Sequence, residues 1–245
     1  MNYNNYNLNT TTMKRYLLLF AMVLCGVSLA SAQFTVDKST LCPSFAVDGK
    51  TMITTPAEGL WGVATSWKDD WMSDWVYASP QLKEQSGEWT ILKGSMQFEQ
   101  GELLLRDSYR KVGDNLVQCV RRYEWRGEET LSHVTLSVRL QMRGQRMMPC
   151  LPGILYYGNK NGAKVDPTRI PVYEGRKGEF AIFEEHRYPM PFAMLENAAE
   201  GYAAALHTVP SPVRGAVLAD QWWSMGVQAE EEYSEFVLYT GPIGY

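Results

Sequence analysis

Three tryptophans recur at four-residue spacing in the segment SWKDDWMSDWV, Ser66 to Val76: Trp67, Trp71 and Trp75, interleaved with Asp69, Asp70 and Asp74. Exposed aromatic faces stack on the C–H surfaces of sugar rings while polar neighbours hold the hydroxyls, so this composition suits a sugar platform. Tyr156 and Tyr157, beside Asn159 and Asn161, have the same make-up. The competing reading buries the tryptophans, because large aromatics dominate the cores of β-sandwiches.

The second group capable of chemistry is Glu184-Glu185-His186-Arg187. Two carboxyls in different environments can divide acid and base roles in the hydrolysis of a glycosidic bond. Adjacent residues of a strand point to opposite faces, however, so Glu184 and Glu185 are poorly placed to act on one bond, and Arg187 in an ion pair is the plainer expectation. Asp69, Asp70 and Asp74 offer hard oxygens of the kind calcium takes, but without the glycine and alternating oxygens of a dedicated loop, so a solvated acidic face is expected. His133, His186 and His207 are scattered, Ser44 and Ser224 sit in no nucleophile elbow, and neither a phosphate loop nor a paired-histidine motif occurs. These residues therefore assign no catalytic group, metal ligand or cofactor.

The elements that must position them read as strands. From Glu88 the chain passes through Glu88–Phe98, Glu102–Lys111, Leu116–Trp125 and Leu131–Met142, separated by turn signals at Gln100-Gly101, Gly113-Asp114-Asn115 and Arg126-Gly127. Val117, Cys119, Arg121, Tyr123 and Trp125 occupy one parity and Gln118, Val120, Arg122 and Glu124 the other. Val134, Leu136, Val138, Leu140 and Met142 oppose Thr135, Ser137, Arg139 and Gln141, the pattern of a half-buried antiparallel strand. The four runs together predict a β-meander. Further strands are expected at Gly153–Tyr157, Glu179–Glu184, Pro191–Glu196, Tyr202–His207, Trp222–Gln228 and Ser234–Tyr239, with a long polar connection at Gly158–Gly178. Short strands punctuated by Gly and Pro predict a mainly β protein, a large antiparallel β-sandwich with at most one or two short helices. The candidate helix is Ser66–Val76, with Ser66 as its cap and Asp69 and Asp70 in the first turn; an aromatic-rich loop over the sheet is the alternative.

Residues 13–32, MKRYLLLFAMVLCGVSLASA, carry the marks of a cleavable export signal: Lys14 and Arg15, an apolar run from Tyr16 to Leu29, and Ala30-Ser31-Ala32 as the cleavage site. The apolar run is shorter than the roughly 20 residues that span a bilayer. A secreted or periplasmic location follows, with residues 1–32 outside the fold and the β-sandwich domain over 33–245. The leader holds two basic residues and no acidic one, so its loss moves the net charge from −4 to −6 and leaves 213 residues. An acidic chain disfavours nucleic acid and anionic membrane surfaces as partners. Cys42, Cys119 and Cys150 remain; three buried thiols are expected over one bridge and a spare, since a core of this size needs no staple.

The order of LPGILYYGNKNG (Leu151–Gly162), EEHRYPMPFAMLE (Glu184–Glu196), LHTVPSPV (Leu206–Val213), DQWWSMGV (Asp220–Val227) and FVLYTGPIGY (Phe236–Tyr245) resembles the N-terminal β-sandwich region of secreted bacterial proteins related to six-hairpin glycosidases. In that family a large sandwich precedes an (α/α)6 toroid that holds the catalytic carboxylates, and the sandwich can lend loops to the sugar cleft. The resemblance implies a leading module with a downstream (α/α)6 partner domain and a polysaccharide or oligosaccharide ligand. Tyr157–Asn161 and Glu185–Arg187 would be the loops nearest that cleft. Three functions stand at this point: a non-catalytic, sugar-contacting module of a glycoside hydrolase; a self-contained glycan hydrolase or lyase using Glu184 or Glu185 with His186; and a structural envelope protein without a ligand.

Overall fold

The computed structural model describes residues 32–69, 71–155, 173–208 and 223–240. Their strands in chain order are β1 (Ala32–Val36), β2 (Pro43–Val47), β3 (Lys50–Thr54), β4 (Trp61–Lys68), β5 (Trp71–Ala78), β6 (Leu82–Ser86), β7 (Trp89–Phe98) and β8 (Gly101–Gly113). There follow β9 (Leu116–Gly127), β10 (Thr135–Arg143), β11 (Met148–Cys150), β12 (Phe180–Glu184), β13 (Phe192–Asn197), β14 (Tyr202–His207), β15 (Trp223–Ala229) and β16 (Tyr233–Thr240). A single 3-10 turn, Glu185–Arg187, is the only helical element among the described residues. The mainly β, antiparallel sandwich expected from the sequence is the fold observed.

Nine strands form the large sheet. β10 pairs with β16 along one edge, and along the other with β4 at Thr135–Ser137 and β3 at Gln141–Met142. β5 continues beyond β4, β15 and β12 beyond β16, and β2 and β1 beyond β3. Two smaller sheets, β6-β7-β8-β9 and β11-β13-β14, supply the second layer. Leu60, Trp61, Val63 and Val134 pack with Leu92, Met96, Leu103, Leu105 and Tyr109 of the four-stranded sheet. Met142, Met225, Val227 and Phe236 pack with Ala193 and Leu195 of the three-stranded one. Cross-strand partners share a face: register sets Val63 opposite Leu136 and Leu238 opposite both Val138 and Met225, and Leu136 and Val138, two residues apart on β10, put all five on one face. One face of the large sheet is therefore covered by both small sheets, as two-layer β proteins require.

Expectations for two segments, Leu131–Met142 and Ser66–Val76, are corrected first. The run Leu131–Met142 does not close the meander: β10 leaves for the centre of the large sheet, and β6 is the fourth strand beside β7. The alternation in β10 also does not mark a solvent face. Thr135 and Ser137 are fully buried, Ser137 donating to Gly62 O at 2.8 Å and Thr135 accepting from the Trp67 indole at 3.0 Å. Second, Ser66–Val76 is neither helix nor loop but a β-hairpin, pairing Ala64 with Trp75 and Lys68 with Trp71. Even spacing satisfies a strand period as well as a helical one. Asp69, read as a first-turn helical residue, has φ +52 directly after the paired Lys68, where a tight hairpin turn wants left-handed backbone; Asp70 lies outside the described residues.

The expected strand at Gly153–Tyr157 is reduced to one bridge, Leu151 to Leu155, with residues 156 and 157 outside the described residues. The thiols are all free, but only Cys42 and Cys150 are half-buried; Cys119 is exposed on β9 rather than buried as expected.

Candidate functional site

The β4–β5 hairpin folds its far end back over the open face of the large sheet. In simple alternation Trp67 would share the face of Trp61 and Val63, yet its indole bonds to Thr135, the register partner of Ala64 on the other face. The register skips Thr65 and Asp74, and Asp74 has φ +53; that irregularity reverses the parity. Trp67 and Trp75 consequently pack against Ala64, Met72, Val237 and Tyr239, and Trp75 stacks on Tyr77 at 6.1 Å. Both are half-buried core groups.

Trp71 differs. It starts β5 with 49% of its surface exposed, 5.7 Å from the ring of Phe180, which starts β12 and is 50% exposed. The platform proposed from three tryptophans thus comes down to one, joined by a phenylalanine. Asp74 is held by Lys68 at 2.8 Å and Ser66 at 2.5 Å, and the Lys68 hydrogen bond, more than any other contact, keeps its carboxyl below the usual range. The described residues contain no cluster of three groups able to ligate a metal.

Under the hairpin lies a buried ion pair, Arg139 with Glu235, whose carboxylate is fully enclosed. Burial pushes the Glu235 carboxyl up, and the hydrogen bond from Arg139 offsets this only in part. Arg139 also lies 5.4 Å from the Tyr77 ring centroid. Both polar ends are engaged within the sheet, so the pair holds β10 to β16.

Glu184, Glu185, His186 and Arg187 do not assemble a reacting centre. Arg187 pairs with Glu184 at 3.0 Å, as expected of a surface ion pair, and also lies 5.7 Å from the Phe183 ring. Glu185 turns into the core, and His186 stays exposed. This turn follows the end of β12, whereas Trp71 meets its beginning. Five residues of strand separate the two by about 16 Å. Tyr156, Tyr157, Asn159 and Asn161 lie outside the described residues.

The sequence reading missed the outer face of the meander. The β8–β9 register shifts between Lys111 and Gly113, where one extra residue bulges out of the ladder. The shift sets Asp107 opposite Arg121 on the inner face and Arg106 opposite Arg122 on the outer one. Inside, Asp107 accepts from Arg121 Nε at 2.8 Å and Nη2 at 2.7 Å, from Tyr109 OH at 2.7 Å and from Trp61 Nε1 at 3.1 Å. Outside, Lys93, Arg106 and Arg122 stand in one cross-strand row. Arg106 and Arg122 line both of two adjoining depressions, of about 410 and 210 Å³. The sequence holds the components of this site, but a one-residue shift in register decides which of them meet.

No protein-family model matches the chain, and no curated protein and no solved structure matches it either.

Proposed function

We propose that the chain is an exported, non-catalytic β-sandwich module that contacts carbohydrate, the bond-breaking chemistry belonging to a separate (α/α)6 domain of the kind the sequence resemblance implies. The observation that carries this reading is the Trp71–Phe180 pair, two large rings half-exposed and 5.7 Å apart. Most large rings of this fold are taken into its three apolar clusters. An exposed indole with a second ring beside it offers the apolar stacking surface a pyranose face needs, and Lys68, opposite Trp71 in register, adds a hydrogen-bond donor.

The hydrolase reading draws no support from the geometry, since Glu184 is neutralised by Arg187 and Glu185 is buried away from it. A structural protein without a ligand has no use for the exposed pair. The test is a glycan array probed with the intact protein and with Trp71→Ala. Retention of particular glycans by the first and its loss in the second supports a sugar-contacting module; no retention by either protein contradicts it.

A further inference from the structure

Arg106 and Arg122 stand directly opposite one another on neighbouring strands, both exposed. Like charges in that position destabilise a sheet. Every other cation of the same face is engaged. Lys93 pairs with Glu84 at 2.7 Å, Arg126 with Glu124 at 2.8 Å, and Arg110 bonds Gln118 at 2.8 Å while lying 4.7 Å from the Trp89 ring centroid. Among the described residues Arg106 and Arg122 have no ion-pair or hydrogen-bond partner, although the chain as a whole has more acidic than basic side chains, 27 against 23. Both arginines contribute to the lining of each depression. The larger has a volume within the ~300–1,000 Å³ of small-molecule sites and includes Leu104, Leu105 and Tyr123 in its lining; the smaller includes Trp89 and Ile91.

We infer that the outer face of the meander is a binding site for an acidic glycan, with Arg106 and Arg122 gripping a carboxylate or sulfate group and the flanking depressions taking the neighbouring sugar rings. Planar guanidinium forks match such oxyanions with two parallel hydrogen bonds each. The residues from Trp89 to Gln97 extend the face along β7 by about 27 Å, long enough for an extended chain of several units. The net acidity of the chain withholds the long-range attraction that nucleic-acid binding relies on.

The inference rests on the sugar-contacting reading for its ligand class, but its site lies on the four-stranded sheet and is tested separately. The probes are polygalacturonate, dextran sulfate, neutral dextran and a short DNA duplex, titrated calorimetrically against the intact protein, Arg106→Gln/Arg122→Gln, Trp71→Ala and the charge-matched control Lys38→Gln/Lys177→Gln. The expected result is salt-sensitive binding of polygalacturonate or dextran sulfate that weakens at least tenfold in the arginine variant. It persists in the lysine control, and neutral dextran gives no arginine-dependent signal. Equal weakening in the lysine control, an unchanged affinity in the arginine variant, or tighter binding of DNA than of either acidic glycan overturns the inference. Neutral-glycan binding that depends on Trp71, with no response to the acidic probes, overturns the anion site and leaves the sugar-contacting reading standing. Relief of repulsion makes a further readout: Arg106→Gln alone is expected to hold or raise the urea midpoint, and a fall would show that the arginine serves the fold instead.

Discussion

Trp61 donates its indole N–H to Asp107 across 3.1 Å, joining a strand of the large sheet to the inner face of the meander. Asp107 is fully enclosed and accepts from four donor atoms. Arg121, its main partner, also donates to Ser137 O at 2.7 Å. The network therefore ties β4, β8, β9 and β10 together at one point, with every charge it buries neutralised by contact.

Removing one partner leaves the other charge buried. Asp107→Ala is expected to lower unfolding stability by about 3–5 kcal/mol, the usual consequence of breaking a buried pair. Urea unfolding followed by circular dichroism measures it. A loss below about 1 kcal/mol, the level of an exposed pair, would show that the network is solvated.

Gly226 faces β12 so closely that a Cβ built on it would lie 1.8 Å from Ala181 O, a backbone atom with no freedom to rotate away. Gly226→Ala is expected to force β12 and β15 apart and to cost about 3 kcal/mol or more. Hydrogen exchange at the β12–β15 ladder should rise first. Unchanged protection there would mean that the two strands have room to separate.

Asp37 closes the turn between β1 and β2, its Oδ1 accepting from Ser39 N at 2.8 Å, Ser39 Oγ at 2.5 Å and Thr40 N at 2.8 Å. These bonds, the Ser39 hydroxyl first, hold its carboxyl at about 2 against an ordinary 3.8. A lowered acid stabilises the folded form above the unfolded value, so the contribution is complete above about pH 4 and is lost as the pH falls through 2. Carboxyl-carbon NMR should give a midpoint near 2 for Asp37, with the Ser39 and Thr40 amides moving in step. A midpoint near 3.8 would show that the turn is open in solution.

The tryptophans of the hairpin should separate by role. Trp75 stacks on Tyr77 and packs at a tilt against Tyr239, so Trp75→Ala is expected to destabilise by about 2 kcal/mol, below the 3–5 of a wholly buried ring. Trp71→Ala, at a half-exposed position, should change the urea midpoint little. A larger loss for Trp71 than for Trp75 would reverse the assignment of platform and core.

The strands from β7 onward were legible because their alternation and turn residues agree, and the observed boundaries of β7, β13, β14 and β16 fall within one residue of those expected. The strands before β7 were not. β2 and β3 are five residues long with little alternation, and the tryptophan spacing fits two periods at once. Partnership was harder still. The β10 pattern suits a meander edge as well as a central strand, and only its pairing with β16, β4 and β3 decides between them. The arginine pair was hidden for the same reason. Arg106 and Arg122 are sixteen residues apart, and a regular ladder from the Gly113–Leu116 turn would have set Tyr123 opposite Arg106; the bulge substitutes Arg122.

The most direct measurement is affinity electrophoresis of the intact protein and Trp71→Ala, side by side in gels cast with and without neutral polysaccharides. A carbohydrate-contacting module should be retarded by at least one polysaccharide, and the variant should migrate freely in the same gel with its urea midpoint unchanged. Equal retardation of both proteins, or of neither in any gel, would contradict a sugar contact at Trp71.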